Sequence, residues 1–74
     1  MDGMRFELGE YDQVAVTQNA TGLRWTFDVL RDGSNRRHLD WPMGPTRETL
    51  AGASMRSICL FAQEEALHAG RIDY

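Results

Sequence analysis

The sequence predicts an α+β fold, a four-stranded antiparallel meander followed by one long C-terminal helix packed on one face of the sheet. Three observations carry that prediction. Short segments of alternating apolar and polar residues fill the first half of the chain, and clusters of turn-forming residues separate them. One proline-free run, Thr46 to Ala69, then has the length and period of a substantial helix.

The first strand is Arg5 to Leu8, with Met4, Phe6 and Leu8 on one face in the two-residue period of a half-buried strand. Gly9-Glu10-Tyr11-Asp12 interrupts it with turn residues. The second strand, Gln13 to Gln18, directs Val14 and Val16 inward and Gln13, Ala15 and Thr17 outward. Asn19-Ala20-Thr21-Gly22 supplies residues that tolerate a left-handed backbone. The third strand, Leu23 to Arg31, has the clearest alternation: Leu23, Trp25, Phe27 and Val29 face one way, Arg24, Thr26, Asp28 and Leu30 the other. Its two aromatics should dominate the core beneath the helix, since such side chains bury roughly 150–250 Å² each.

Asp32-Gly33-Ser34-Asn35 is a strong hairpin signal. The fourth strand then runs from Arg36 to about Trp41, with Leu39 and Trp41 on the core face and His38 and Asp40 on the other, and Pro42 ends it. Gly44-Pro45-Thr46 starts the helix, with either Gly44 or Thr46 as the cap. Glu48 suits the positive end of the helix dipole, and Gly70 suits the left-handed position that ends a helix. Ile72 and Tyr74 either add a short edge segment or pack against the helix end.

The helix has two apolar stripes. Leu50, Ala51, Met55, Ile58, Phe61, Ala62 and Ala69, with the small Ser54 among them, form the face expected on the sheet. Ala53, Leu60 and Leu67, flanked by Arg56, Gln63 and Glu64, form a narrower second stripe. One helix on one sheet buries only one such face. The second stripe is therefore a candidate contact surface, since contiguous exposed apolar patches mark interaction sites.

A chain of 74 residues is one domain, and its core is small. Cys59 is the only cysteine, so no internal disulfide can reinforce it. Binding a larger partner, or a second copy through the helix, is the remaining way to extend the core. No apolar run approaches the ~20 residues of a membrane helix. The first residues lack the basic and apolar regions of a secretory signal, which with the lone cysteine points to the cytoplasm.

Catalytic and metal signatures are missing. Cys59 and His68 stand about 13.5 Å apart along one helix and cannot meet. Cys59 with His38 lacks any accompanying oxyanion feature. Glu64 and His68 share a helix face, but two ligands do not make a metal site. No glycine-rich loop has the spacing that cradles phosphate. No enzyme activity, metal or cofactor is expected.

Arg36-Arg37-His38-Leu39-Asp40-Trp41 is the most informative polar stretch. Stacking with phosphate pairing is one use of such residues, but Trp41 is expected on the core face and not exposed for stacking, and two arginines on a chain of net charge −3 leave a weak nucleic-acid footprint. Arginine and aromatic residues are enriched where proteins bind proteins. Arg36, Arg37 and His38 on the fourth strand, with Arg56, Leu60, Gln63 and Leu67 on the helix, are therefore the candidate interaction residues. A nucleic-acid-binding or regulatory protein using the arginine hairpin is the alternative, and an accessory subunit of a larger enzyme is a third.

In size, composition and layout, though in no motif, the chain resembles small phage- or mobile-element-encoded accessory proteins such as anti-CRISPR inhibitors. That resemblance implies action by occlusion, with the chain covering a surface of a larger protein or ribonucleoprotein complex.

Overall fold

The computed structural model describes residues 3–10, 12–44 and 55–74. They contain four strands, β1 (Met4–Leu8), β2 (Gln13–Gln18), β3 (Arg24–Arg31) and β4 (Arg37–Leu39), and one helix, α1 (Met55–His68). The strands form one sheet in the order β1-β2-β3-β4, and every neighbouring pair is antiparallel. The α+β meander with a following helix is the architecture that the alternation predicts.

The register aligns the apolar rows. Phe6 lies opposite Val16, Val16 opposite Trp25, Val14 opposite Phe27, and Val29 opposite Leu39. Because side chains alternate faces along a strand, this pairing gathers all of them on one side. Ile58, Ala62 and Ala66 of α1, each fully buried, close over Val14, Val16, Trp25 and Phe27. Their spacing places them on one line along the helix. Two alanines on that line let the helix backbone come close to β2.

The turns have identifiable causes. In the β3–β4 hairpin, Asp32 N–H donates to the Arg36 carbonyl at 2.9 Å and Asn35 N–H to the Asp32 carbonyl at 2.9 Å. Asn35 takes the left-handed position with φ 65°, one of the few side chains that does so readily. Asp32 Oδ1 fixes the loop by accepting from Ser34 N–H at 2.9 Å, Ser34 Oγ at 2.9 Å and Arg36 N–H at 3.0 Å. At the helix end, Arg71 N–H donates to the Ala66 carbonyl at 2.9 Å and Gly70 N–H to the Leu67 carbonyl at 3.1 Å. With Gly70 at φ 71°, these two bonds make the Schellman motif expected there.

Several expectations are corrected. The chain leaves its predicted path after Leu39. Asp40 N–H still donates to the Asp28 carbonyl at 2.8 Å, and the next paired residue is Met43, which exchanges bonds of 2.8 and 2.9 Å with Thr26. One residue of β3, Phe27, therefore faces two, Trp41 and Pro42, which is a β-bulge. The physical reason is Pro42. In continuous register it would sit opposite Thr26, and it has no N–H to donate to the Thr26 carbonyl. Slipping by one residue puts Met43 there instead. Trp41 is thereby expelled from the core face and is 77% exposed, against the burial that strict alternation predicts.

Ala69 is exposed because it belongs to the terminating turn beyond His68. Leu8 stays half exposed at the far end of the edge strand β1. Ala15 and Thr17 do lie on the outward face, but they are buried there. β2 is a central strand, and they are flanked on both sides, by Glu7 and Arg5 on β1 and by Thr26 and Arg24 on β3. The helix start expected at Pro45 and Thr46, and the stripe residues Leu50, Ala51, Ala53 and Ser54, lie outside the described residues.

Candidate protein-interaction site

The bulge at Trp41 and Pro42 opens a cleft of about 470 Å³ between β4 and α1. Phe27, Leu39, Pro42 and Cys59 supply its apolar surface, and His38, Asp40, Gln63 and Tyr74 its polar rim. Trp41 stands at its border with most of its ring in solvent. Burial pushes the Cys59 thiol up, so the cysteine contributes apolar surface rather than a thiolate.

On the helix side, Leu60 and Leu67 of the second stripe lie outside the buried core. Leu60 is 50% exposed and Leu67 41%. Gln63 lies three residues after Leu60 and four before Leu67, which makes the three neighbours on the helix surface. Since Gln63 also lines the cleft, a continuous surface runs from Trp41 across the cleft to both leucines. Arg56 is exposed one turn before Leu60. A second depression, formed by Ser57, Leu60, Phe61, Glu64 and Glu65, adjoins the leucine on its other side.

The strand side differs from expectation. Arg36 and Arg37 are engaged within the chain by the segment that follows the helix. The Arg37 guanidinium makes a forked pair with Asp73, Nε to Oδ2 at 3.3 Å and Nη2 to Oδ1 at 3.2 Å. Arg36 lies over the Tyr74 ring, 4.2 Å from its centroid. Tyr74 donates its hydroxyl hydrogen to Asp32 Oδ2, and the His38 and Tyr74 rings are 6.0 Å apart. These contacts set the local electrostatics. The bond from Tyr74, with those from Arg36 and Ser34, holds the Asp32 carboxyl well below the usual carboxylate range. Arg37 does the same to Asp73 and is itself raised by it, while Asp32 raises the Tyr74 phenol.

Of the seven predicted interaction residues, the structure thus brings His38 and Gln63 to opposite walls of one cleft. It sets Arg56, Leu60 and Leu67 beside that cleft, and commits Arg36 and Arg37 to Tyr74 and Asp73. Trp41, Asp40 and Tyr74 were missed. The signal for Trp41 was Pro42, whose missing N–H disfavours an in-register strand there. Tyr74 had no local signal, because its partner Asp32 is 42 residues away.

The opposite face of the sheet is polar. Glu7 lies 3.8 Å from both Arg5 and Arg24 and accepts from Thr17 Oγ1 at 3.2 Å. Such exposed pairs contribute little to stability. Among the described residues, no group of three or more His, Cys, Asp or Glu side chains is placed to hold a metal ion, and no helix is long and apolar enough to cross a membrane. Comparisons with protein-family models, curated proteins and solved structures give no match to this chain.

Proposed function

We propose that the protein is a small non-enzymatic binding module whose partner is another protein. The contact surface runs from Trp41 across the cleft to Leu60 and Leu67. The observation that carries the reading is Trp41. A tryptophan 77% exposed, next to an apolar cleft and two half-exposed leucines, is the composition of a binding hot spot. The exposed Trp41 is free to stack, and what favours a protein partner over nucleic acid is the net charge of −3 with only two arginines, Arg36 and Arg37, in the stretch that ends at Trp41. The finer form of the proposal is an inhibitor that occludes a larger protein or ribonucleoprotein complex of bacterial defence. It rests on the likeness in size and layout.

The test is affinity capture from the host lysate with four baits: wild type, Trp41→Ala, Leu60→Glu/Leu67→Glu, and Arg5→Gln/Glu7→Gln on the opposite sheet face. The reading expects one partner retained by wild type and by the sheet-face control, and lost from the other two. Equal retention by all four baits overturns it. Solution mass by light scattering shows whether the partner is a second copy.

A further inference from the structure

The segment after α1 is seated on β4 in a manner that describes a ligand. In β4, the bonds from Asp32 to Arg36 and from Asp40 to Asp28 show that the even-numbered residues pair with β3. The backbone groups of Arg37 and Leu39 therefore point away from the sheet, along its free edge. The segment Ile72-Asp73-Tyr74 takes part of that edge. Asp73 N–H donates to the Arg37 carbonyl at 2.9 Å, and Arg37 N–H donates to the Asp73 carboxylate at 2.7 Å. A side-chain oxygen stands where a neighbouring strand would offer a carbonyl.

Each residue of the segment meets a different kind of receptor. Ile72 is buried in the core cluster. Asp73 meets the fork of Arg37, a planar cation matched to a carboxylate. Tyr74 lies between the Arg36 guanidinium and the Asp32 carboxylate and forms one wall of the cleft. Apart from Ile72, these contacts lie at the exposed surface, where each contributes little to stability.

We propose that the outer edge of β4 is a docking groove for an extended segment of a partner protein with an aliphatic, an acidic and an aromatic residue in succession. The chain's own Ile72-Asp73-Tyr74 occupies this groove in cis and must yield to the partner. The mode is strand addition: backbone bonds to Arg37 and Leu39 give affinity, and the Ile72 pocket, Arg37 and the Asp32–Arg36 pair give specificity. This inference deepens the proposed function and rests on its protein-binding reading. Charge complementarity chooses the occupant, since the two arginines of the edge call for an acidic segment.

The probe is the blocked peptide acetyl-Arg-Ile-Asp-Tyr-amide, titrated into isotope-labelled protein and followed by the NMR shifts of the Arg37, His38 and Leu39 amides. The receptor is the full chain carrying Ile72→Ser/Asp73→Ser/Tyr74→Ser, compared with wild type. If that variant does not fold, Asp73→Ser/Tyr74→Ser replaces it. The vacated chain should bind at a peptide concentration about tenfold lower than wild type, as expected when the competent state is about one tenth populated in wild type. Binding should be lost when the peptide's aspartate is replaced by lysine or when Arg37→Glu is added to the receptor. Equal binding by the vacated and wild-type chains, indifference to the lysine peptide, or no shifts in the folded vacated chain would each overturn the inference. If capture still depends on Trp41 in that event, the strand-docking groove alone is wrong and the protein-binding reading stands.

Discussion

Two tryptophans that the alternation treats alike should behave in opposite ways when removed. Trp25 is completely enclosed, beneath the helix and among Val14, Val16 and Phe27. Replacing a buried ring of this size with alanine costs about 3–5 kcal/mol, the sum of lost transfer energy and the cavity left behind. A chain of 74 residues has a total stability of roughly 4–11 kcal/mol at the usual ~0.05–0.15 kcal/mol per residue. Trp25→Ala therefore removes between about a quarter and all of it. Trp41, expelled by the bulge, should cost within about 0.5 kcal/mol, the range of surface substitutions. Urea titration followed by far-ultraviolet circular dichroism separates the two, because it does not depend on the fluorophore removed. With a slope of about 1 kcal/mol per molar for so small a chain, Trp25→Ala lowers the midpoint by about 3–5 M and Trp41→Ala by less than about 0.5 M. A Trp41→Ala midpoint that falls by several molar would mean that Trp41 is packed in the core, and the bulge at Pro42 would be wrong.

Gly44→Ala should destabilise by about 1–3 kcal/mol in the same assay, the cost of steric overlap in a packed region. An added Cβ would stand 2.6 Å from the Arg24 carbonyl oxygen and 2.9 Å from Trp25 Cδ1, on a backbone with φ 154°. Leu60→Glu/Leu67→Glu should keep the wild-type circular dichroism spectrum and lose within about 1 kcal/mol, since both side chains are about half exposed and outside the core cluster; an unfolded double variant would place them in the core. The contacts of Ile72-Asp73-Tyr74 should be sensitive to pH at both ends. Asp32 and Asp73 are held below the ordinary carboxylate range, so their stabilisation is complete above about pH 4 and is lost as pH falls through their folded values. Tyr74 is raised, so its share is present below about pH 10 and disappears as pH rises through its folded value. Asp32→Asn should flatten the acid limb of a stability–pH curve and Tyr74→Phe the alkaline limb; unchanged limbs would mean that these bonds do not form in solution.

What was legible in the sequence was local. Val14 and Val16, Trp25 and Phe27 declare their face through a two-residue period, and the register then places them together. Gly22 and Gly70 announce left-handed positions because few other residues adopt them cheaply, and the structure puts them at φ 75° and 71°. The outward Leu60 and Leu67 follow from the geometry of a helix that covers only one sheet face. What was illegible depended on departures from period or on distance along the chain. Trp41 fits the alternation perfectly well, and only a hydrogen bond that Pro42 cannot make removes it from the core. Ala15 and Thr17 point outward as read, but their burial comes from neighbours on two other strands. Arg37 with Asp73, 36 residues apart, leaves no pattern in either segment, so two arginines that looked free for a partner turn out to hold the chain's own end of α1 in place.

The central claim is that Trp41 belongs to a protein interface, and fluorine NMR of the chain labelled with fluorotryptophan tests it most directly. The two tryptophans give two signals, assigned with Trp41→Phe, and the solvent isotope shift of each reports its contact with water. The enclosed Trp25 should show none with or without the captured partner, which makes it the internal reference. Trp41 should show a full isotope shift in the free protein and lose most of it in the complex. A Trp41 signal equally solvated in both states would contradict the account.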